Sequence, residues 1–141
     1  MDRYVVHASV AASLVLPDEP YHEVSTYLFE RFARGELELV TVPLLNFEVA
    51  NALWKAVRLG RTQISTAMEA MKQIEGLRIP TGMIPAAKIL EIAHGYGRTA
   101  YDAAYLALAL REAIPLVTAD KRFYNAIKGR CDKVVWIESV K

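Results

Sequence analysis

Short β-branched runs alternate with amphipathic helical segments along this whole chain, and that alternation constrains the fold more than any other feature. Residues 4–6 (Tyr-Val-Val) form the first run, and Ser9 is placed to cap a helix that lasts to Leu16, where Pro17-Asp18-Glu19-Pro20 breaks the pattern. A second helix over residues 21–34 carries Val24, Leu28 and Phe32 at fourfold spacing and meets its stop at Gly35. Residues 37–42 read as a strand ended by Pro43, and residues 44–59 as a helix with Leu45, Val49, Ala52, Leu53 and Ala56 on one face. A helix over residues 62–74 is closed by Gly76 before a small strand at residues 77–79, which Pro80 ends. Residues 85–93 open on a proline suited to a first helical turn, and Gly95-Tyr96-Gly97 separates them from an apolar helix over residues 101–112. Strands at residues 116–118 and 134–137 flank a short helix at residues 121–127.

Strands joined through helices pair in parallel, because only parallel pairs need a crossover of about a dozen residues. The expected class is therefore α/β, with a mainly parallel sheet covered by helices on both faces. At 141 residues, with no repeat, linker or low-complexity tract, the chain reads as one domain over residues 1–141. A hydrophobic fraction of 53% against 23% charged residues is the balance of a folded globule and excludes disorder or a fibrous rod. The formal net charge of +1 gives no global field to hold nucleic acid or anionic lipid, so any anionic partner must be recognised locally. Cys131, the only cysteine, excludes an internal disulfide and a multi-thiolate metal cage. No apolar window approaches the roughly 18 residues of a membrane span, and the start of the chain lacks the pattern of a signal peptide, so a cytoplasmic setting is expected.

Ligands of open parallel sheets bind beyond the carboxyl ends of the strands, which draws attention to His7, Glu48, Asp102 and Asp120. Each has an ordinary structural role available. Thr99 and Asp102 fit a capping box at the start of the apolar helix, Asp120 fits an N-cap, and Glu48 borders an apolar helix face. Were the three carboxylates to converge, their repulsion would call for a cation among them, and an all-oxygen cluster suits Mg²⁺ or Mn²⁺. The chemistry of such a centre is phosphodiester hydrolysis, in which the metal activates water and no nucleophilic side chain is needed. A Gly-rich phosphate loop and a G-x-S-x-G nucleophile elbow are both missing from the sequence.

The ordered segments Val5-Val6-His7-Ala8-Ser9-Val10, Phe47-Glu48-Val49-Ala50-Asn51-Ala52-Leu53, Ala100-Tyr101-Asp102-Ala103-Ala104-Tyr105 and Val117-Thr118-Ala119-Asp120 resemble the PIN-domain family over nearly the whole chain, and within it the VapC-type toxins of toxin–antitoxin pairs. The resemblance implies a three-layer α/β/α sandwich, Mg²⁺- or Mn²⁺-dependent endoribonuclease activity on RNA, inhibition by a small VapB-like antitoxin, and homodimers. It matches Glu48, Asp102 and Asp120 to three family acids, and Ser9, Asn51 and Thr118 to polar positions that support the site. Position 7 departs from the pattern, which has an aspartate where this chain has His7.

An imidazole in place of a carboxylate removes a negative charge and offers Mg²⁺ a nitrogen it accepts poorly. Reduced or absent Mg²⁺-dependent cleavage is the expectation, with His7 either a poor ligand or a built-in cation among the carboxylates. A module that keeps the fold without catalysis, binding RNA or an antitoxin-like peptide, is the alternative function. Arg98, Lys121 and Arg122 stand near the expected cleft as cations for RNA phosphates.

Overall fold

The computed structural model describes residues 1–140. Its elements run β1 (Arg3–Val6), α1 (Ala8–Val15), α2 (His22–Ala33), β2 (Glu38–Val40), α3 (Leu44–Arg58), α4 (Ile64–Gly76), α5 (Ala86–Tyr96), α6 (Ala100–Glu112), β3 (Leu116–Thr118), α7 (Lys121–Ile127) and β4 (Val134–Trp136), with a 3-10 turn at Ile137–Ser139. The strands form one sheet in the order β2-β1-β3-β4, and every neighbouring pair is parallel. Register places Val5 beside Val40 on one side and Leu116 on the other.

Successive strand residues point to opposite faces, so burial of two in a row means that both faces are covered. Val5 and Val6 in β1, and Leu116, Val117 and Thr118 in β3, are all fully buried. The expected layering of helices on both sides of a parallel sheet is thus present. One of those layers holds α6, whose residues Ala103, Ala104, Tyr105, Leu106, Ala107, Leu108 and Ala109 are buried without a break, as an all-round apolar helix must be. Gly82 lets the chain pass close to it: a β-carbon there would stand 2.7 Å from Leu108 Cδ1.

Three local expectations are corrected. Residues 77–79 form no strand, because Arg78 takes a left-handed conformation (φ 50°) that a strand does not admit, and the pairing that does form is a single bridge between Thr41 and Thr81. Ser9 does not cap α1. His7 is the cap residue, its Nδ1 accepting from Ser9 N at 3.4 Å, which places Ser9 inside the first turn. Both α2 and α5 are followed by glycines at positive φ, Gly35 (73°) and Gly97 (65°), so α5 continues through Gly95 and Tyr96 before it stops.

The parallel arrangement brings the ends of β1 and β3 side by side, with His7 and Ala119-Asp120 following them, and His7 reaches Asp102 in the first turn of α6. The backbone ties this corner together, His7 N donating to Val117 O at 3.0 Å.

Candidate active site

His7 follows β1 and is 4% exposed, stacked on Phe123 of α7 (ring centroids 5.1 Å apart, planes at 8°) and edge-on to Tyr105 of α6 at 4.8 Å. Its ring is therefore fixed, and the bonds around it have a consistent polarity. Ser9 N donates to His7 Nδ1 at 3.4 Å, which makes Nδ1 an acceptor, so the Ser9 hydroxyl, itself accepting from Ala119 N at 2.9 Å, gives its proton to Nδ1 at 2.7 Å. Thr118 Oγ1 lies 3.2 Å from both Ser9 Oγ and His7 Nδ1, and accepts from Asp120 N at 3.0 Å. With Nδ1 accepting, Nε2 carries the proton and donates to Asp102 Oδ1 at 3.3 Å. Ser9 and Thr118 are thus what orients the imidazole toward Asp102.

Asp102 stands in the first turn of α6, where Thr99 Oγ1 accepts from Asp102 N at 3.1 Å. Only this half of the capping box forms, because the carboxylate turns elsewhere: Oδ1 to His7 and Oδ2 to Arg98 Nη2 at 3.3 Å. Burial alone raises the pKa of this carboxyl, but the bond and charge of His7, together with the Arg98 guanidinium, outweigh it and hold the group below the usual aspartate range. The negative charge of Asp102 is therefore answered from within the chain, by His7 at one oxygen and by the Arg98 guanidinium at the other.

Glu48, half-buried on α3, accepts the Tyr105 hydroxyl at Oε1 over 2.7 Å. Burial first, and then the neighbouring Glu48, push the Tyr105 phenol far above its ordinary pKa, so it remains a donor throughout the neutral range. Asp120 caps α7, Oδ1 accepting from Phe123 N at 3.2 Å, which is the ordinary role its position suggested. Asn51 is exposed on α3 and makes no hydrogen bond to the network.

The structure thus joins His7, Ser9, Asp102 and Thr118 through side chains and Asp120 through its backbone, leaves Glu48 tied to Tyr105 instead, and leaves Asn51 outside. Sequence reasoning did not give roles to Tyr105 and Phe123. Tyr105 lies three residues after Asp102 on a helix, hence on the same face, which was a usable signal. Phe123 carried none beyond its apolarity.

Among the described residues, no group of three or more His, Cys, Asp or Glu side chains is gathered closely enough to share a metal ion. Both oxygens of Asp102 are engaged, His7 contributes an imidazole already committed at both nitrogens, and Glu48 is drawn to a tyrosine. As arranged, these residues do not fit a divalent Mg²⁺ or Mn²⁺ centre.

Comparison with known proteins agrees with this geometry at the level of ancestry. The chain is 32% identical to "Ribonuclease VapC3" of Pyrobaculum aerophilum over 124 residues, 85% of this chain and 91% of that protein. It is 30% identical to "Exonuclease VapC9" of the same organism over 104 residues, 74% of this chain and 78% of the relative. A crystal structure of PAE2754 from Pyrobaculum aerophilum superposes with a TM-score of 0.74 at 24% identity, covering 98% of this chain and 91% of the other, a likeness of fold. The PIN domain pattern itself matches residues 4–128, spanning β1 through α7 and with them every residue of the site. A parallel α/β sheet, acids at its carboxyl edge and a family match over most of the length lead to one conclusion: the chain belongs to the PIN-domain family.

Proposed function

We propose that this chain acts on RNA as a VapC-type PIN protein whose phosphodiester hydrolysis is held down by His7. The observation that carries the reading is the contact of His7 Nε2 with Asp102 Oδ1 at 3.3 Å, with Arg98 on the other oxygen. Where the resemblance expects an aspartate and a divalent cation, this chain supplies an imidazole and a guanidinium. Glu48 and Asp120 each keep one carboxylate oxygen without a hydrogen bond in the network, so a phosphate entering here meets carboxylate repulsion that Arg98 only partly offsets. His7, Ser9 and Thr118 then act as positioning groups: they hold Asp102 in its ion pair and leave it unavailable as a ligand or base.

The name of the VapC3 relative supports RNA as the substrate class, and the VapC resemblance adds a small VapB-like antitoxin as partner and a homodimer; a cytoplasmic setting completes the reading. Among the described residues no helix is long and apolar enough to cross a membrane. The saturation of Asp102 also favours a second reading, a non-catalytic PIN-fold module that binds RNA or an antitoxin-like peptide.

One experiment separates them: incubation of a mixed RNA pool with the parent chain and with His7→Asp, in Mg²⁺, in Mn²⁺ and in EDTA. The proposal expects cleavage by His7→Asp alone, abolished by EDTA. Equal metal-dependent turnover by the parent chain refutes the role given to His7, and cleavage by neither chain leaves the binding module as the better description.

A further inference from the structure

The cations of this chain are not spread evenly. Five of them, Lys121, Arg122, Lys128, Arg130 and Lys133, fall within the 13 residues 121–133, where Asp132 is the only acid, although the whole chain carries a net charge of only +1. Among the described residues none of these five is in an ion pair, whereas Arg3, Arg34, Arg61, Lys72, Lys88, Arg98 and Arg111 all have carboxylate partners.

Three of the five have an aromatic ring beside them in place of a carboxylate. Lys121 Nζ lies 4.6 Å from the centroid of Trp136, Lys128 Nζ 5.5 Å from Tyr124, and the Arg130 guanidinium 4.8 Å from Tyr96. Tyr124 and Trp136 are themselves in contact, with centroids 5.6 Å apart. Lys121 and Lys128 are seven residues apart, two turns of helical spacing, with Tyr124 between them, so cation, ring and cation share one side of α7 and its end. Arg130 is anchored further by donating to Gly95 O at the end of α5. Glu138 accepts the Trp136 indole N–H at 3.0 Å and marks the margin of the strip.

A ring and a carboxylate do different things to a cation. Both orient it, but the carboxylate cancels its charge, whereas a ring face is worth about 0.5–1 kcal/mol at exposed sites and leaves the charge whole. The strip is therefore a set of oriented, uncancelled positive charges. It also touches the acidic site: Asp120 immediately precedes Lys121, and Arg98, which holds Asp102, lies 5.9 Å from the ring of Phe123 in α7.

We propose that this strip, from Lys121 over Trp136 and Tyr124 to Lys128 and Arg130, is the track that carries a single-stranded RNA backbone away from the acidic site. The inference rests on the reading of RNA as the substrate class. Phosphates draw the cations off the rings, and the half-buried Tyr124 and Tyr96 then offer faces to bases, the pairing of basic groove and aromatic platform that single strands use. An acidic peptide would use the cations and leave the rings idle, which is why RNA is the better match.

The test measures binding of a fluorescein-labelled single-stranded RNA 12-mer (a length chosen at about one binding site) to the whole chain in EDTA, across a salt series. Combined Lys121→Gln, Lys128→Gln and Arg130→Gln should lower the steepness of log K against log salt by about 2, and the affinity at 0.1 M salt by about 100-fold, at roughly 0.7 per lost single-strand contact. Lys55→Gln with Arg58→Gln, two unpaired cations at the end of α3, should leave affinity within about two-fold. A circular-dichroism melt confirms that both variants are folded. In a Trp54→Phe background the remaining indole, Trp136, should change emission on RNA addition and not on addition of a poly-glutamate peptide.

Unchanged affinity and salt dependence in the triple variant overturn the track, as does a poly-glutamate peptide that binds as tightly as RNA, which would assign the strip to an acidic protein partner. The outcome is independent of hydrolysis. If His7→Asp cleaves RNA while the triple variant binds as the parent does, the track alone is wrong; if no chain cleaves and the triple variant still loses RNA, the track stands without the hydrolase reading.

Discussion

Tyr105→Phe removes one oxygen from the interior of the site and should cost stability out of proportion to its size. The side chain is 0% exposed and its hydroxyl donates to Glu48 Oε1 at 2.7 Å, a short bond to a carboxylate. Hydrogen bonds to charged groups contribute roughly 1.5–3 kcal/mol, but Glu48 is half-buried and can regain water, so a loss of about 1–2 kcal/mol is expected. For a domain of this size that corresponds to a fall in Tm of roughly 3–8 °C. Urea unfolding monitored by circular dichroism measures it directly, with the exposed Tyr101→Phe as a control that should shift by less than about 0.5 kcal/mol. The sign with pH follows from the raised pKa of the phenol. An acid whose folded pKa lies above its unfolded value of about 10 gives stability that is fully present below pH 10 and lost as pH rises beyond it. The gap between parent and Tyr105→Phe should therefore be flat through neutrality and narrow above about pH 10. A double-mutant cycle with Glu48→Gln closes the argument: coupling below about 0.3 kcal/mol, or a gap that does not narrow in alkali, would show that the hydroxyl is held by packing and not by this bond.

Two further outcomes follow from packing elsewhere. Gly82→Ala drives a methyl to 2.7 Å from the buried Leu108 Cδ1 and should destabilise by about 1–3 kcal/mol in thermal unfolding, an added cost that should disappear in a Leu108→Ala background. Thr41→Val removes the buried bond from Thr41 Oγ1 to Val6 O (2.9 Å) that ties the end of β2 to β1, and should cost about 1 kcal/mol by urea midpoint without changing the fold.

The parallel class could be read from residues alone because it rests on repeated agreement: β-branched runs, helical spacing and breakers recur in phase, and β1, β2, β3 and β4 all lie where those runs are. The failure at residues 77–79 has a local cause. Leu-Arg-Ile has the composition of a strand, but nothing in composition reports that Arg78 takes φ 50° as the chain leaves α4. At the site, Asp102 and Asp120 were found because acids at helix starts are visible in the sequence, and both do serve or meet a cap there. How they are shared was not visible. That depends on which side chains cross the space between β1, α6 and α7, and the choice of Asp102 to turn from its own helix toward His7 and Arg98 is a tertiary balance of charges. Tyr105 was hidden for the opposite reason, since an aromatic residue in an apolar helix reads as core and its hydroxyl gives no sign of its partner.

The sheet is bounded on both sides by strands of three residues, β2 and β4. An outer strand exposes unpaired amide and carbonyl groups that another chain can extend into a growing assembly, and the hazard increases with its length. Here β2 has Arg3 and Glu38 in an ion pair at its start and the lone Thr41–Thr81 bridge beyond its end. Edges this brief, with one of them interrupted by charge, leave no ribbon on which a neighbour could template. A sheet with edges this short gives a neighbouring chain little backbone to extend.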